Sequence, residues 1–211
     1  MTEPYQEIEG KLKLTRKLLE VILKYRFPVH ILTKSALVLR DLDLLGEIDR
    51  RAILPEDLRN RLKRGVIINF SVSTLDEKLT KTLEPGAPKP KERFEAMRKC
   101  KERGFLTGIS YVPVLPFLSD SDEQLEKIIK TAKKYNADFV FVGALTLFGN
   151  KPADCKTLYY KFLDRYNPDL VPKYESLFGS SFQPSEEYQK KLEEKTKRLC
   201  EKYGIKNRIV Y

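Results

Sequence analysis

The sequence has no run of about 18 or more apolar residues, the length a bilayer core requires of a helix, and its start lacks the basic-then-apolar layout of a secretory leader. Both absences set the expectation of a soluble, cytoplasmic chain without a membrane partner. Cysteine is scarce. Cys100, Cys155 and Cys200 lie far apart, so no pair has the short spacing of a metal or redox site, and all three are expected as free thiols with no metal ligand among them. His30 is the single histidine; it falls inside a short apolar run and is expected to point into packing rather than to act in catalysis. No Walker loop, Gly-x-Gly-x-x-Gly, His-Glu-x-x-His or nucleophile elbow occurs.

What is present is an apolar content of 41 % in 211 residues, enough for a substantial core, and a net charge of +10. Such basicity suits a nucleic-acid or other polyanionic partner. Its spread, 27 Lys/Arg against 21 Asp/Glu over 1–149 and 13 against 9 over 150–211, suits a generally solvated basic surface equally well. Abundant Lys and Glu with few Gln fit an ion-paired surface of thermophile type.

Leu14, Leu18, Val21, Ile22 and Tyr25 recur at three- and four-residue intervals, which predicts one amphipathic helix over 7–25 packed through that face. Residues 29–33 then read as a strand buried on both sides, and 37–51 as a second helix. The alternation continues with strands at 66–71, 106–112 and 138–142 and helices at 90–103 and 121–135. Four such β-α units build either a doubly wound sheet or a (β/α) barrel. Gly65 and Gly104 precede strands, where a helix C-cap would place them. Beyond residue 149 the strand signal stops. Helices are expected over 153–165, 168–178 and 185–203, with Ser185 as N-cap, giving a helical extension at 150–211 packed on a body at 1–149.

In parallel α/β folds chemistry gathers where strands end. There the sequence puts Thr33-Lys34-Ser35, Ser71-Val72-Ser73-Thr74 and Tyr111-Val112-Pro113. Lys34 suits a carboxylate or phosphate, or is an ordinary surface lysine, and the serines suit ribose or phosphate oxygens. Thr74 with Glu77 has capping-box spacing and reads equally as a helix start. The stiff stretch 83–90 feeds Arg93 into the next helix, from which it reaches a carboxylate or simply lies on the helix surface.

Three stretches, "TEPYQEIEGKLKLTRKLLEVILKYRFPVHILTKSALVLRDLDLL", "NFSVSTLDEKLTKTLEPGAPKPKERFEAM" and "GISYVPVLPFLSDSDEQLEKII", resemble radical S-adenosylmethionine proteins of the spore photoproduct lyase-like, or DNA repair photolyase-like, group. The segment "LTLFGNKPADCKTLYYKFLDRYNPDLVPKYESLFG" resembles that group's tail. The resemblance implies a partial (β/α) barrel of the radical SAM type, parallel strands alternating with helices, plus the C-terminal helical extension. It further implies S-adenosylmethionine bound beside a 4Fe-4S cluster and cleaved reductively to a 5′-deoxyadenosyl radical.

The group's Cys-x3-Cys-x2-Cys motif is absent here, so the first two strands and the cluster loop are expected to be missing and this chain alone to be inactive. Residue by residue, Thr2-Glu3-Pro4-Tyr5-Gln6 matches the group's Thr-Asp-Pro-Tyr-Gln near the methionine part of the cofactor, with Glu3 in place of Asp. Lys34 matches a lysine near the methionyl carboxylate, Ser71 and Ser73 residues near the ribose, Tyr111 a pocket-lining position, and Arg93 a helix arginine facing the carboxylate. Partners implied are an electron donor for the full-length protein, nucleic acid, and self-association along the bare sheet edge at 29–33. A non-catalytic basic α/β module binding nucleic acid or protein is the rival reading.

Overall fold

The computed structural model describes residues 3–209; Thr2 of the Thr-Glu-Pro-Tyr-Gln match lies outside them. Short apolar runs rich in β-branched residues form four strands, β1 (Val29–Thr33), β2 (Val66–Val72), β3 (Leu106–Val114) and β4 (Phe139–Ala144). All neighbouring pairs are parallel, in the order β1-β2-β3-β4, as right-handed β-α crossovers produce. Between them stand α3 (Leu42–Arg51), α4 (Glu56–Arg59), α5 (Glu77–Leu83), α6 (Pro90–Glu102) and α7 (Asp122–Lys134), preceded by α1 (Glu9–Leu12) and α2 (Leu14–Lys24). The expected partial barrel of parallel strands and helices is what the chain forms.

Alternation along the strands sorts the residues onto two faces. Ile31, Ile68, Phe70, Ile109 and Val140 join the main core with Val38, Leu45, Phe94, Met97, Leu125 and Ile128 from the helices. The opposite, inner face carries His30, Leu32, Asn69, Ser71, Gly108, Ser110, Phe139 and Phe141, by register. Gly108 is required there: a Cβ would lie 2.4 Å from the Phe139 ring, which crosses it. The sheet does not close. The outer edge of β4 is taken by a parallel bridge of Phe139 to Lys206 and by Val140 N–H donating to the Lys206 carbonyl at 2.8 Å, while among the described residues β1 pairs with β2 alone.

Several local expectations change. The helix expected over 7–25 breaks at Lys13, whose φ is +52°. The Glu9 carboxylate causes this by accepting from Leu14 N at 2.9 Å and Thr15 N at 3.0 Å, which satisfies the free donors of a new helix start. Of the stripe expected to pack, Ile22 does and the other four residues do not. Leu14, Leu18, Val21 and Tyr25 are 60, 59, 50 and 61 % exposed, while α2 rests on α3 through Leu19, Ile22 and Leu23.

His30 is likewise exposed, because the edge strand leaves its inner face open. The helix at 37–51 begins as a 3-10 turn over Ala36–Asp41. Asp76, not Thr74, caps α5, its side chain accepting from Lys78 N and Leu79 N. Gly104 has the left-handed φ of +86° that the turn demands; Gly65 does not, and is small because Ala52 would stand 2.5 Å from its Cβ.

After β4 come α8 (Cys155–Tyr166), α9 (Val171–Phe178) and α10 (Glu186–Tyr203), the last capped by Ser185. Leu163, Leu170, Tyr174 and Phe178 form a second core with Leu115, Leu145 and Leu147 from the ends of β3 and β4. Tyr174 Oη donates to the Pro116 carbonyl at 2.6 Å, which fixes this helical layer over the strand ends. Leu192, Leu199 and Cys200 of α10 belong to the main core instead.

Candidate functional site

The carboxyl ends of β1, β2 and β3 surround a cavity of about 260 Å³ lined by Glu3, Leu32, Thr33, Lys34, Ser71, Val112 and Pro113. Glu3 is placed by the end of β1. One carboxylate oxygen accepts from the Thr33 hydroxyl and from Tyr5 N at 2.9 Å, and the other from Lys34 N at 2.7 Å. These donors, one hydroxyl and two backbone N–H groups, fix the Glu3 carboxylate at the cavity wall. Lys34, one-third exposed, supplies the positive charge beside it.

Lys34 is held by a residue the sequence reading passed over. Its Nζ stands 3.0 Å from Glu84 Oε1, which also accepts from Ser73 Oγ at 2.8 Å. The other Glu84 oxygen lies 2.6 Å from Nη2 of Arg93. Arg93 is fully buried and finishes its hydrogen bonding on backbone, donating from Nε to Pro88 O and from Nη1 to Ser71 O, each at 2.8 Å. One carboxylate thus ties together the end of β1, the end of β2 and the stiff loop before α6. Burial alone would raise the Glu84 carboxyl; Arg93 and Lys34 outweigh it and hold the group below its ordinary value. The Glu-Pro-Gly-x-Pro stretch that carries Glu84 was the available signal.

The structure therefore gathers Glu3, Lys34 and Ser71 around one cavity and sets Ser73 and Arg93 behind its wall. Ser71 Oγ donates to Val112 O at 3.1 Å, bridging β2 and β3 under the cavity. Tyr5 and Tyr111 sit elsewhere. Tyr5 is buried in the main core near Asp41, and burial followed by that carboxylate raises its hydroxyl strongly. It also borders an adjoining cavity of about 670 Å³ between the N-terminal segment and Pro85–Pro88, which shares Glu3 and Lys34. Tyr111 lies on the helix-facing side of β3, donates to Ser119 O at 2.7 Å, and is pushed up to about 12 by burial.

Deeper on the inner face, Asn69 Nδ2 donates to Ser110 Oγ at 2.7 Å and Asn69 Oδ1 has no hydrogen-bond partner among the described residues. The site can therefore face a ligand with both signs of charge, a hydroxyl and an apolar wall.

The thiols do not fit a metal cluster. Cys100 and Cys200 are buried, their thiols raised to about 12 and about 11 by burial, and Cys155 is exposed. Among the described residues no group of three or more His, Cys, Asp or Glu is placed to hold a metal ion.

No model of a known protein family matches the chain. An uncharacterized protein of Mycobacterium tuberculosis is 29 % identical over 206 residues, 97 % of this chain and 55 % of that protein. Another of Acidianus two-tailed virus is 38 % identical over 130 residues, 60 % of this chain and 38 % of its own. The chain spans about half the length, or less, of these relatives.

Among solved structures, a cysteine-to-serine mutant of spore photoproduct lyase superposes with a TM-score of 0.61 at 16 % identity, covering 93 % of this chain and 56 % of the lyase. A double mutant of that lyase with bound AdoMet and dinucleoside spore photoproduct gives 0.57 at 16 % identity with the same coverage. The fold is thus that of spore photoproduct lyase over nearly the whole chain, as the sequence resemblance led one to expect.

Proposed function

We propose that this chain is the cofactor-facing portion of a radical S-adenosylmethionine protein of the spore photoproduct lyase-like group, whose 4Fe-4S ligands lie outside it. The observation that carries the reading is the cavity at the strand ends, where Glu3 and Lys34 oppose each other beside Ser71 and an apolar wall.

These residues fit S-adenosylmethionine. Lys34 would take the methionyl carboxylate as a charge-assisted partner, and Glu3 would face the ammonium and sulfonium charges. Ser71 offers a hydroxyl to the ribose, while Leu32, Val112 and Pro113 offer apolar surface to the adenine. When bound beside a reduced cluster, the cofactor supplies radical chemistry. The chain's own part is to bind, orient and partly desolvate it. Because the three cysteines do not fit a cluster, no catalytic step is assigned to this chain by itself, and it is expected to be inactive alone. The corresponding substrate proposal is a nucleic-acid lesion, supported by the net charge of +10.

The bare edge of β1 and the exposed stripe on α2 support the same reading. Each buried Leu, Val or Tyr contributes about 1.5–3 kcal/mol, so covering that stripe is worth several kcal/mol to a further β-α unit. Lys206 already bridges to the outer edge of β4, so such a unit would pair with β1.

The test is anaerobic iron and sulfide reconstitution of this chain and of the polypeptide extended by its upstream coding sequence. The reading requires a broad visible cluster band in the extended protein alone. A band in this chain, or none in the extended protein, overturns it.

A further inference from the structure

The site holds two carboxylates and two cations in contact or near contact, and their arrangement is unequal. Arg93 is sealed from solvent, with Nε, Nη1 and Nη2 donating to Pro88 O, Ser71 O and Glu84 Oε2 in turn. It cannot reach a ligand. Lys34 lies on the cavity wall and shares the Glu84 oxygen with Ser73. Glu3 lines the same cavity. With Glu84 ionised, the buried guanidinium is neutralised and the two charges a ligand meets, Glu3 and Lys34, cancel. Without it, the cavity would carry the excess positive charge of Arg93 as well.

We propose that Glu84 is the specificity-determining residue of this cavity: by cancelling Arg93 behind the wall it keeps the site neutral overall, so that it accepts an adenosine bearing an amino-acid-like zwitterion or cation and rejects one bearing phosphate. This rests on the cofactor reading above and deepens it. A phosphate ester needs a site with net positive charge, often several cations and backbone N–H groups aimed at it. This cavity has one exposed cation, and that cation is already paired. A sulfonium or ammonium instead finds the Glu3 carboxylate on the cavity wall.

The sign of the effect follows from Coulomb's law. At an effective dielectric constant near 40 and a separation of about 8 Å, removing one charge changes affinity about fivefold for each unit of ligand charge. A general loss of structure weakens all ligands alike, so charge dependence separates the two.

The experiment measures equilibrium binding of three adenosines to the whole chain: S-adenosylmethionine (net cationic), 5′-methylthioadenosine (neutral) and adenosine 5′-monophosphate (anionic). Against wild type, Glu84→Gln should bind the first about fivefold more weakly, the second unchanged and the third at least about fivefold more tightly. Glu84→Asp, which keeps the charge, should retain the wild-type order. Equal changes for all three ligands overturn the proposal.

Where Glu84→Gln alone does not fold, Glu84→Gln combined with Arg93→Met removes both charges and should keep the wild-type order; a shift towards the phosphate overturns it. Should wild type bind none of the three, the cofactor reading fails. Glu84 is then tested through Lys34, by mass spectrometry of its labelling with phenyl isothiocyanate and the anionic 4-sulfophenyl isothiocyanate. The ratio of anionic to neutral labelling must rise in Glu84→Gln, and an unchanged ratio contradicts the proposal.

Discussion

Glu84 and Arg93 meet at 2.6 Å with side-chain exposures of 8 % and 0 %, making this pair the most enclosed ion pair of the site. Breaking a buried pair by removing one partner strands the other charge, which costs about 3–5 kcal/mol, whereas replacing both is far milder. Arg93→Met should therefore lower stability to urea by about that amount, and Glu84→Gln combined with Arg93→Met by clearly less. Equal losses would mean that the charges are not what hold the loop onto β2.

Acid should loosen the same region. A carboxyl held below its ordinary value in the folded state binds fewer protons there than in the unfolded chain, so the stability it contributes is present above that ordinary value and disappears as pH falls through the folded one. The ordinary value for Glu84 is 4.5, and Arg93 and Lys34 depress it after burial has acted in the opposite direction. Urea unfolding of wild type should weaken more steeply below pH 4.5 than that of Glu84→Gln. Parallel pH profiles would contradict the assignment. Glu9 and Asp41, also depressed, act in the same window in both proteins and cancel from the comparison.

Thiol chemistry should separate the three cysteines. Cys100 and Cys200 are buried and raised to about 12 and about 11, so near pH 8 they offer almost no thiolate and no access. Iodoacetamide should modify Cys155 alone in the native chain and all three in urea. Native modification of Cys100 would show that α6 does not pack as described.

The inner face should resist added volume. Gly108→Ala puts a methyl 2.4 Å from the rigid Phe139 ring, a clash of the kind that costs about 1–3 kcal/mol. Phe139→Leu in the same chain should recover part of the loss, as read from urea midpoints; no recovery would place the strain elsewhere.

The alternation of strands and helices was legible in the sequence because parallel strands are short continuous apolar runs: Val66–Val72 is buried throughout, whereas Val29–Thr33, expected to be buried on both sides, is buried only at Ile31 and Thr33. The packing of α2 was not. Its apolar residues Leu14, Leu18, Val21 and Tyr25 repeat with helical period, but period reports that a face is apolar and not that something covers it. The break at Lys13 depends on Glu9 reaching Leu14 and Thr15, a side-chain event invisible to propensity. His30 was expected inside because it lies within an apolar strand run, and among the described residues β1 is an edge strand paired with β2 alone.

The site was legible in part. Lys34 and Ser71 stand at strand ends, where the chain pattern alone places chemistry, and they share one cavity with Glu3. Glu84 escaped notice because an acid in a proline-rich loop looks like solvent-facing polarity until Arg93 and Lys34 are seen to converge on it. Tyr5 lies in a turn before α1 and Tyr111 within β3 on its helix-facing side, and both rings are buried in the core.

The central claim is that Glu3, Lys34 and Ser71 hold the methionyl and ribose parts of S-adenosylmethionine. Titration calorimetry of that ligand into wild type and Lys34→Ala tests it most directly, with 5′-methylthioadenosine as the ligand that lacks the amino-acid portion. The account predicts saturable binding of both to wild type, with Lys34→Ala weakening S-adenosylmethionine about tenfold or more, as loss of one charge-assisted hydrogen bond implies, and leaving 5′-methylthioadenosine unchanged. Saturable binding that Lys34→Ala leaves intact, or no binding of S-adenosylmethionine to wild type, would contradict it.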